Sequence, residues 1–70
     1  MDAHHFSTWM ELVGARSARE VHEKLGLSLR SAQDIVQRAR AGRKVALKRT
    51  VALAMSAVAL GLRPFDEYHR

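Results

Sequence analysis

The sequence predicts an all-α fold, a compact four-helix domain that takes in residues 1–70 as a single domain. The 70 residues are rich in helix formers and contain no alternating run of β-branched residues that would indicate a strand. Apolar residues recur at the i, i+3, i+4, i+7 spacing of a buried helix face, and glycines follow these stretches where helices commonly end. A chain of this length buries only about 60% of its unfolded surface, so we expect a marginal core.

Composition narrows the choice of partners. The chain has 12 Lys and Arg against 7 Asp and Glu, and a sequence pI of about 10.8. This excess of positive charge indicates an anionic partner. Basicity alone does not distinguish DNA, RNA, acidic protein or a membrane surface. The absence of cysteine is typical of a reducing cytoplasm. No signal-peptide pattern is visible, and the most apolar stretch, 51–62, is shorter than the about 20 residues that span a bilayer. We expect a soluble cytoplasmic protein without a membrane partner.

The first helix is predicted over about Ser7 to Val13, with an end at Gly14. Its cap is expected from Thr8 with Glu11, or from Ser7. An aromatic stripe at helical spacing is more often core than a ligand or partner site, so we expect a hydrophobic lid across the next two helices. The stripe consists of Phe6, Trp9, Met10 and Val13.

Residues 17–41 predict two short amphipathic helices joined by a tight turn. Ser17 and Glu20 have the spacing of a capping box, in which the serine caps the first turn and the carboxylate reaches back to the cap. Gly26 is predicted to end the first helix, and Ser28 to cap the second. The apolar face of the first comprises Ala18, Val21, His22 and Leu25, and that of the second comprises Ala32, Ile35, Val36 and Ala39. The opposite face of the second helix carries hydrogen-bonding side chains.

The pattern SAREVHEKLGLSLRSAQDI resembles the helix-turn-helix of phage-repressor-type (Cro/C1, XRE-like) DNA-binding domains. The later run TVALAMSAVALGL is similar to a segment of small phage or mobile-element regulators, so the resemblance covers about Ser17 to Leu62. It departs from the family at His22, where a small residue is usual, and at Ala32, where a branched apolar residue is usual. The resemblance implies a DNA-binding motif over 17–41 and favours repression, as in small autorepressors that accompany anti-CRISPR genes.

The exposed side of the second motif helix carries the candidate base contacts. A helix fits the major groove, where Arg30 suits guanine O6 and N7, Gln33 suits adenine N6 and N7, and Leu29 suits a thymine methyl. Asp34 is expected to position Arg30 or Arg38, or to read cytosine N4, and Gln37 completes the row. The alternative is a solvated face on which Arg30 and Asp34 form an i, i+4 ion pair.

A basic cluster supplies the candidate phosphate contacts. It consists of Arg38, Arg40, Arg43, Lys44, Lys48 and Arg49. Lys44, Lys48 and Arg49 are predicted around a helix N-terminus, where the helix dipole disfavours cations but a phosphate would use both the cations and the free N–H groups. Ser17 and Ser28 add possible phosphate contacts at their helix starts. A solvated charge run is the alternative.

The last helix, predicted from Ala46 or Leu47 to Leu60, is apolar on two sides, and Gly61 is expected to end it. One stripe, expected to face the core, is Leu47, Val51, Met55, Val58 and Leu62; the other runs through Ala46, Leu53, Ala57 and Leu60. A helix apolar on two sides favours two partners, so we predict a dimer interface formed by Leu53, Ala57, Leu60 and Phe65. The alternative is that the small domain itself wraps both sides.

Neither metal binding nor catalysis is predicted. The histidines lack a metal-ligand spacing, and no glycine-rich phosphate loop is present. We therefore expect no enzyme activity, cofactor, metal or small-molecule ligand.

The predicted function is a sequence-specific transcriptional regulator, a repressor that binds double-stranded DNA at an inverted repeat as a homodimer. A protein-interaction module, such as an inhibitor or antitoxin that uses the apolar last helix and a basic face, is the main alternative, and nonspecific nucleoid or RNA packaging is a third.

Overall fold

The computed structural model describes residues 1–64 and 67, which include four helices. These are α1 (Ala3–Val13), α2 (Ala18–Leu25), α3 (Leu29–Arg40) and α4 (Arg49–Ala59). No strand occurs within these residues, so the prediction of a small all-helical protein is confirmed. None of their helices combines the length and apolar character needed to cross a bilayer. Phe65, predicted in the dimer interface, lies outside the described residues.

One hydrophobic core joins the four helices. Its buried members are Phe6, Trp9, Ala15, Val21, Ala32, Ile35, Val36, Ala39, Val45 and Met55. Helix α2 packs on α3, and α4 packs on both α1 and α2. Helix α1 packs mainly on α3 and α4, so the lid covers a different helix pair from the one predicted. The Trp9 indole Nε1 donates to the Met55 carbonyl oxygen at 2.8 Å, which satisfies a buried polar atom and fastens α1 to α4.

Helix α1 begins four residues earlier than predicted. Asp2 is its N-cap, and the Asp2 carboxylate accepts from the His5 backbone N–H at 3.1 Å. That hydrogen bond also lowers the pKa of Asp2. The two predicted caps, Ser7 and Thr8, instead lie inside the helix, where Ser7 is half-buried and Thr8 is exposed. The apolar spacing marks only the part of α1 that packs, and residues 3–5 extend the helix beyond it.

Helix α4 begins later than predicted, because the chain before it is held in a non-helical conformation. The Val45 N–H donates to the Met1 carbonyl oxygen at 2.8 Å, and the Met1 ammonium donates to the Val45 carbonyl oxygen at 3.0 Å. Val45 is also 1% exposed. The helix starts only after this anchored residue, with Lys48 as its N-cap. Lys44 therefore does not lie at a helix N-terminus, contrary to the prediction.

The start of α2 follows the capping-box prediction with one difference. The Ser17 hydroxyl accepts from the Glu20 backbone N–H at 3.3 Å, as expected. The Glu20 carboxylate accepts from the backbone N–H of Arg16, one residue before the cap. Both bonds satisfy donors that would otherwise lack partners at the helix start.

The connection between α2 and α3 is a three-residue turn. Gly26 has φ 71°, a left-handed conformation that glycine enters without the steric cost of a Cβ atom. Ser28 is the N-cap of α3. The half-buried His22 ring donates through Nδ1 to the Leu27 carbonyl oxygen, while Ala32 on α3 is fully buried. The His22 side chain thus forms a hydrogen bond with the turn between α2 and α3.

Candidate nucleic-acid interface

The outer face of α3 presents the predicted row of side chains to solvent. Leu29 is 43% exposed, and the other exposed members are Arg30, Gln33, Asp34 and Gln37. The four residues predicted for the inner face are buried. The predicted division of α3 into a buried and an exposed face is therefore confirmed, and the exposed row runs along about 12 Å of helix. Its role in base contact stays a prediction.

The N-terminus of α3 combines capping with free donors. The Ser28 hydroxyl accepts from the Ser31 N–H at 3.1 Å and donates to the Ser31 hydroxyl at 2.9 Å. Within residues 1–64 and 67, the N–H groups of Leu29 and Arg30 have no hydrogen-bond acceptor. Ser31 is exposed, and its bonds to Ser28 were not predicted from the sequence. The available signal was its position three residues after a capping serine.

Asp34 has a defined partner. The Arg38 Nε donates to the Asp34 Oδ2 at 3.1 Å. Of the two arginines predicted as partners of this carboxylate, Arg38 is therefore the one that it contacts, and not Arg30. Together with Gln37 and Arg43, this pair lines an open groove beside the second half of α3. The groove brings two candidate base contacts and two candidate phosphate contacts together.

Two of the clustered arginines also help to hold the fold. The Arg40 Nη2 donates to the Arg16 carbonyl oxygen at 3.3 Å, which ties the end of α3 to the α1–α2 loop. The Arg43 N–H donates to the Arg38 carbonyl oxygen at 2.9 Å and closes α3. This closure requires Gly42 in a left-handed conformation, with φ 72°, which glycine adopts at little steric cost. Arg40 thus has a structural partner that the sequence did not indicate.

Among the described residues, no acid compensates the positive charge at the N-terminus of α4. Lys48 and Arg49 are exposed there, and the first turn has no acidic residue. No side chain of residues 1–64 or 67 caps this helix. In the part of the chain that the structure describes, the N–H groups of Arg49 and Thr50 have no acceptor. Helices α1, α2 and α3 each have a side-chain cap. The predicted combination of cations and free donors is present at Lys48 and Arg49.

Helix α4 has one buried and one exposed apolar side, as predicted. Met55 is 3% exposed, whereas Leu53 is 58% and Leu60 is 74% exposed. Ala57 is partly buried. Leu62, predicted to face the core, is 55% exposed, because the helix ends at Ala59 and the chain turns away before it. The exposed leucines provide an apolar surface, and their dimer role stays a prediction.

Comparison of the chain with protein-family models, curated proteins and solved structures gave no match. The described residues contain no group of three or more His, Cys, Asp or Glu side chains placed to hold a metal ion. The features that indicate a function are the exposed face of α3, the cations around it and at the start of α4, and the exposed leucines.

Proposed function

We propose that this protein is a sequence-specific DNA-binding regulator of transcription that acts as a homodimeric repressor. The observation that carries the proposal is the outer face of α3, a helix that follows a three-residue turn and exposes Arg30, Gln33 and Gln37 in one row. These side chains have the hydrogen-bonding geometry that reads guanine and adenine in the major groove. Helices α2 and α3 then form a helix-turn-helix, with α3 as the recognition helix.

Phosphate contacts hold the recognition helix in place. Arg43, Lys44, Lys48 and Arg49 are exposed and together supply much of the net charge of +5. A DNA phosphate at the start of α4 would accept from the free N–H groups there while it neutralises Lys48 and Arg49. This contact removes the unfavourable interaction between those cations and the helix dipole. Such contacts give affinity and register, and α3 gives specificity.

The exposed side of α4 supplies the proposed dimer contact. Burial of Leu53 and Leu60, which are 58% and 74% exposed, against a second copy would contribute about 1–2 kcal/mol per leucine. Two α3 helices related by a twofold axis would reach half-sites about 34 Å apart, one turn of B-DNA. A dimer bound over a promoter in the cytoplasm blocks polymerase without a catalytic step, a cofactor or a small-molecule signal.

A protein-interaction module is the second candidate, and the same exposed leucines favour it. In that case α4 docks a different protein and the basic surface contacts its acidic side chains, as in an inhibitor or antitoxin. Selection of duplexes from a random pool separates the two candidates. A palindromic enriched sequence supports the repressor, whereas weak sequence-independent binding together with a stable protein partner supports the interaction module.

Replacement of Arg30 tests the recognition surface. Arg30→Ala is expected to weaken binding to the selected operator by about 1–3 kcal/mol and to relax preference at one base pair, because the bidentate contact to guanine is lost. Fluorescence anisotropy with operator and point-substituted duplexes measures both effects. Arg19→Ala, which removes an exposed arginine from α2, is the matched control. Unchanged affinity and preference in Arg30→Ala would contradict the assignment.

Replacement of Lys48 tests the phosphate contact at α4. Lys48→Ala is expected to weaken all duplexes alike and to reduce the slope of log affinity against log salt by about one, because one phosphate contact is lost. Titrations at several salt concentrations measure the slope. Lys24→Ala makes the same charge change at the end of α2 and is expected to leave the slope nearly unchanged. Equal slopes for Lys48→Ala and wild type would place Lys48 away from DNA.

Two replacements of Ser28 separate capping from phosphate contact. Ser28→Ala is expected to lower the free energy of unfolding by about 1 kcal/mol, whereas Ser28→Asp retains a capping oxygen and the wild-type stability. Ser28→Asp is nevertheless expected to weaken duplex binding, because its carboxylate repels the phosphate at the start of α3. Urea unfolding and anisotropy measure the two effects. Wild-type duplex affinity in Ser28→Asp would show that the serine only caps the helix.

A further inference from the structure

The ion pair on the outer face of α3 leaves most of its arginine available. Arg38 uses Nε to donate to Asp34, and both side chains are well exposed, at 50% for Arg38 and 60% for Asp34. Among the described residues no acceptor is found for the Nη1 and Nη2 groups of Arg38. These two groups form the planar end of the guanidinium, which can donate two parallel hydrogen bonds.

The charge of the pair disfavours a phosphate as the ligand of Arg38. Within the part of the chain that the structure describes, Arg38 is the one cation of the basic cluster that forms an ion pair with a carboxylate. A phosphate that approached Arg38 would also meet the negative charge of Asp34. The edge of a base carries no net charge, so its repulsion from Asp34 is much weaker than that of a phosphate. Arg43, which lines the same groove, has no carboxylate partner among the described residues and is better suited to phosphate.

The geometry of the pair favours a guanine. Guanine presents two acceptors, O6 and N7, in the major groove, and the Nη1 and Nη2 groups can bond to both at once. Asp34 lies one helical turn before Arg38 and restrains the guanidinium, so less side-chain freedom is lost when the base is bound. Gln37 lies beside Arg38 on the same groove, which extends the base-reading row past the first two turns of α3.

We propose that Arg38 is a guanine-reading residue, that Asp34 is its positioning residue, and that the operator half-site contains a G·C pair read by them. The inference rests on the DNA-binding function proposed above and changes the expected role of Arg38 from a phosphate contact to a base contact. Arg30 and Arg38 are eight residues apart on α3, about 12 Å along its axis. The recognition surface therefore extends along most of the helix.

The experiment uses the full chain and a pool of random duplexes, with wild type, Arg38→Lys and Asp34→Asn compared at one salt concentration. Arg38→Lys keeps the charge and removes the planar pair of donors. It is expected to retain affinity for unrelated duplex within about twofold and to lose about tenfold discrimination at one guanine. Asp34→Asn is expected to weaken discrimination at the same guanine while it strengthens binding to unrelated duplex, because a negative charge is removed.

A second ion pair provides matched controls. Arg19 and Glu23 have the same i, i+4 spacing, with Nε and Oε1 3.6 Å apart. Because this pair lies on α2 and not on the proposed recognition helix, Arg19→Lys and Glu23→Gln are expected to leave the selected sequence unchanged. Wild-type base preference in Arg38→Lys, with Asp34→Asn strengthening all sequences in equal proportion, would overturn the proposal and leave Arg38 as a phosphate contact. That result leaves the proposed function intact, whereas a wild-type protein that enriches no sequence overturns both.

Discussion

Phe6→Ala is expected to leave most of the protein unfolded at room temperature. Phe6 has 0% exposure at the centre of the core, and its ring lies 5.7 Å from that of Trp9. Removal of a buried phenylalanine side chain costs about 3–5 kcal/mol through lost burial and the cavity left behind. A domain of this size has a core that rarely supplies more than about 3–5 kcal/mol of net stability. The loss is therefore comparable to the whole free energy of unfolding.

Urea unfolding followed by circular dichroism and Trp9 fluorescence measures this effect. Leu12→Ala is the matched control, because Leu12 belongs to the same helix and is 71% exposed. Its free energy of unfolding is expected to stay within about 0.5 kcal/mol of wild type. A Phe6→Ala protein that unfolds with a free energy close to that of wild type would mean that α1 is not part of the folded core.

Leu53→Glu combined with Leu60→Glu is expected to convert the proposed dimer into a monomer. Both leucines are more than half exposed, Leu53 on α4 and Leu60 at its C-cap, so the isolated fold tolerates charge there. An apolar interface would instead have to bury two carboxylates on each copy. Loss of the second half-site contact is expected to weaken operator binding by at least about a hundredfold, since avidity commonly supplies that factor or more.

Sedimentation velocity gives the oligomeric state, and anisotropy with one and two half-sites gives the loss of avidity. Leu12→Glu places the same charge on another exposed leucine and is expected to remain dimeric. A double variant that sediments like wild type would move the interface away from α4. A wild-type protein that is monomeric both free and on DNA would remove the homodimer from the proposed function.

Local sequence signals predicted the features that depend on near neighbours. Ser17, Gly26 and Ser28 occupy the predicted caps of α2 and α3, because capping involves bonds across only a few residues. The exposed row on α3 also followed from helical periodicity. The first helix was predicted too short, since its start depends on a cap at Asp2 that lies outside the apolar pattern used to find the helix.

The partners of several site residues could not be predicted from local sequence. Some lie far away in the chain, and others are one of two residues at equivalent spacing. Arg40 bonds to the carbonyl of Arg16, 24 positions away in the chain, which no local pattern indicates. Asp34 has the i, i+4 spacing to both Arg30 and Arg38 in opposite directions, and only the side-chain geometry selects Arg38. The groove that combines Gln37, Arg38 and Arg43 depends on how the chain leaves α3 at Gly42.

By itself, the sequence determined the helical class, the turn between α2 and α3, and which side of α3 faces solvent, because these depend on spacing and capping within a few residues. The tertiary structure decided where α4 begins, because Val45 is buried and bonds to the Met1 backbone, 44 positions away in the chain. It also decided that Leu62 lies outside the core. Long-range bonds of this kind override local helix propensity, and they placed the cations at the start of α4 where the proposed phosphate contact needs them.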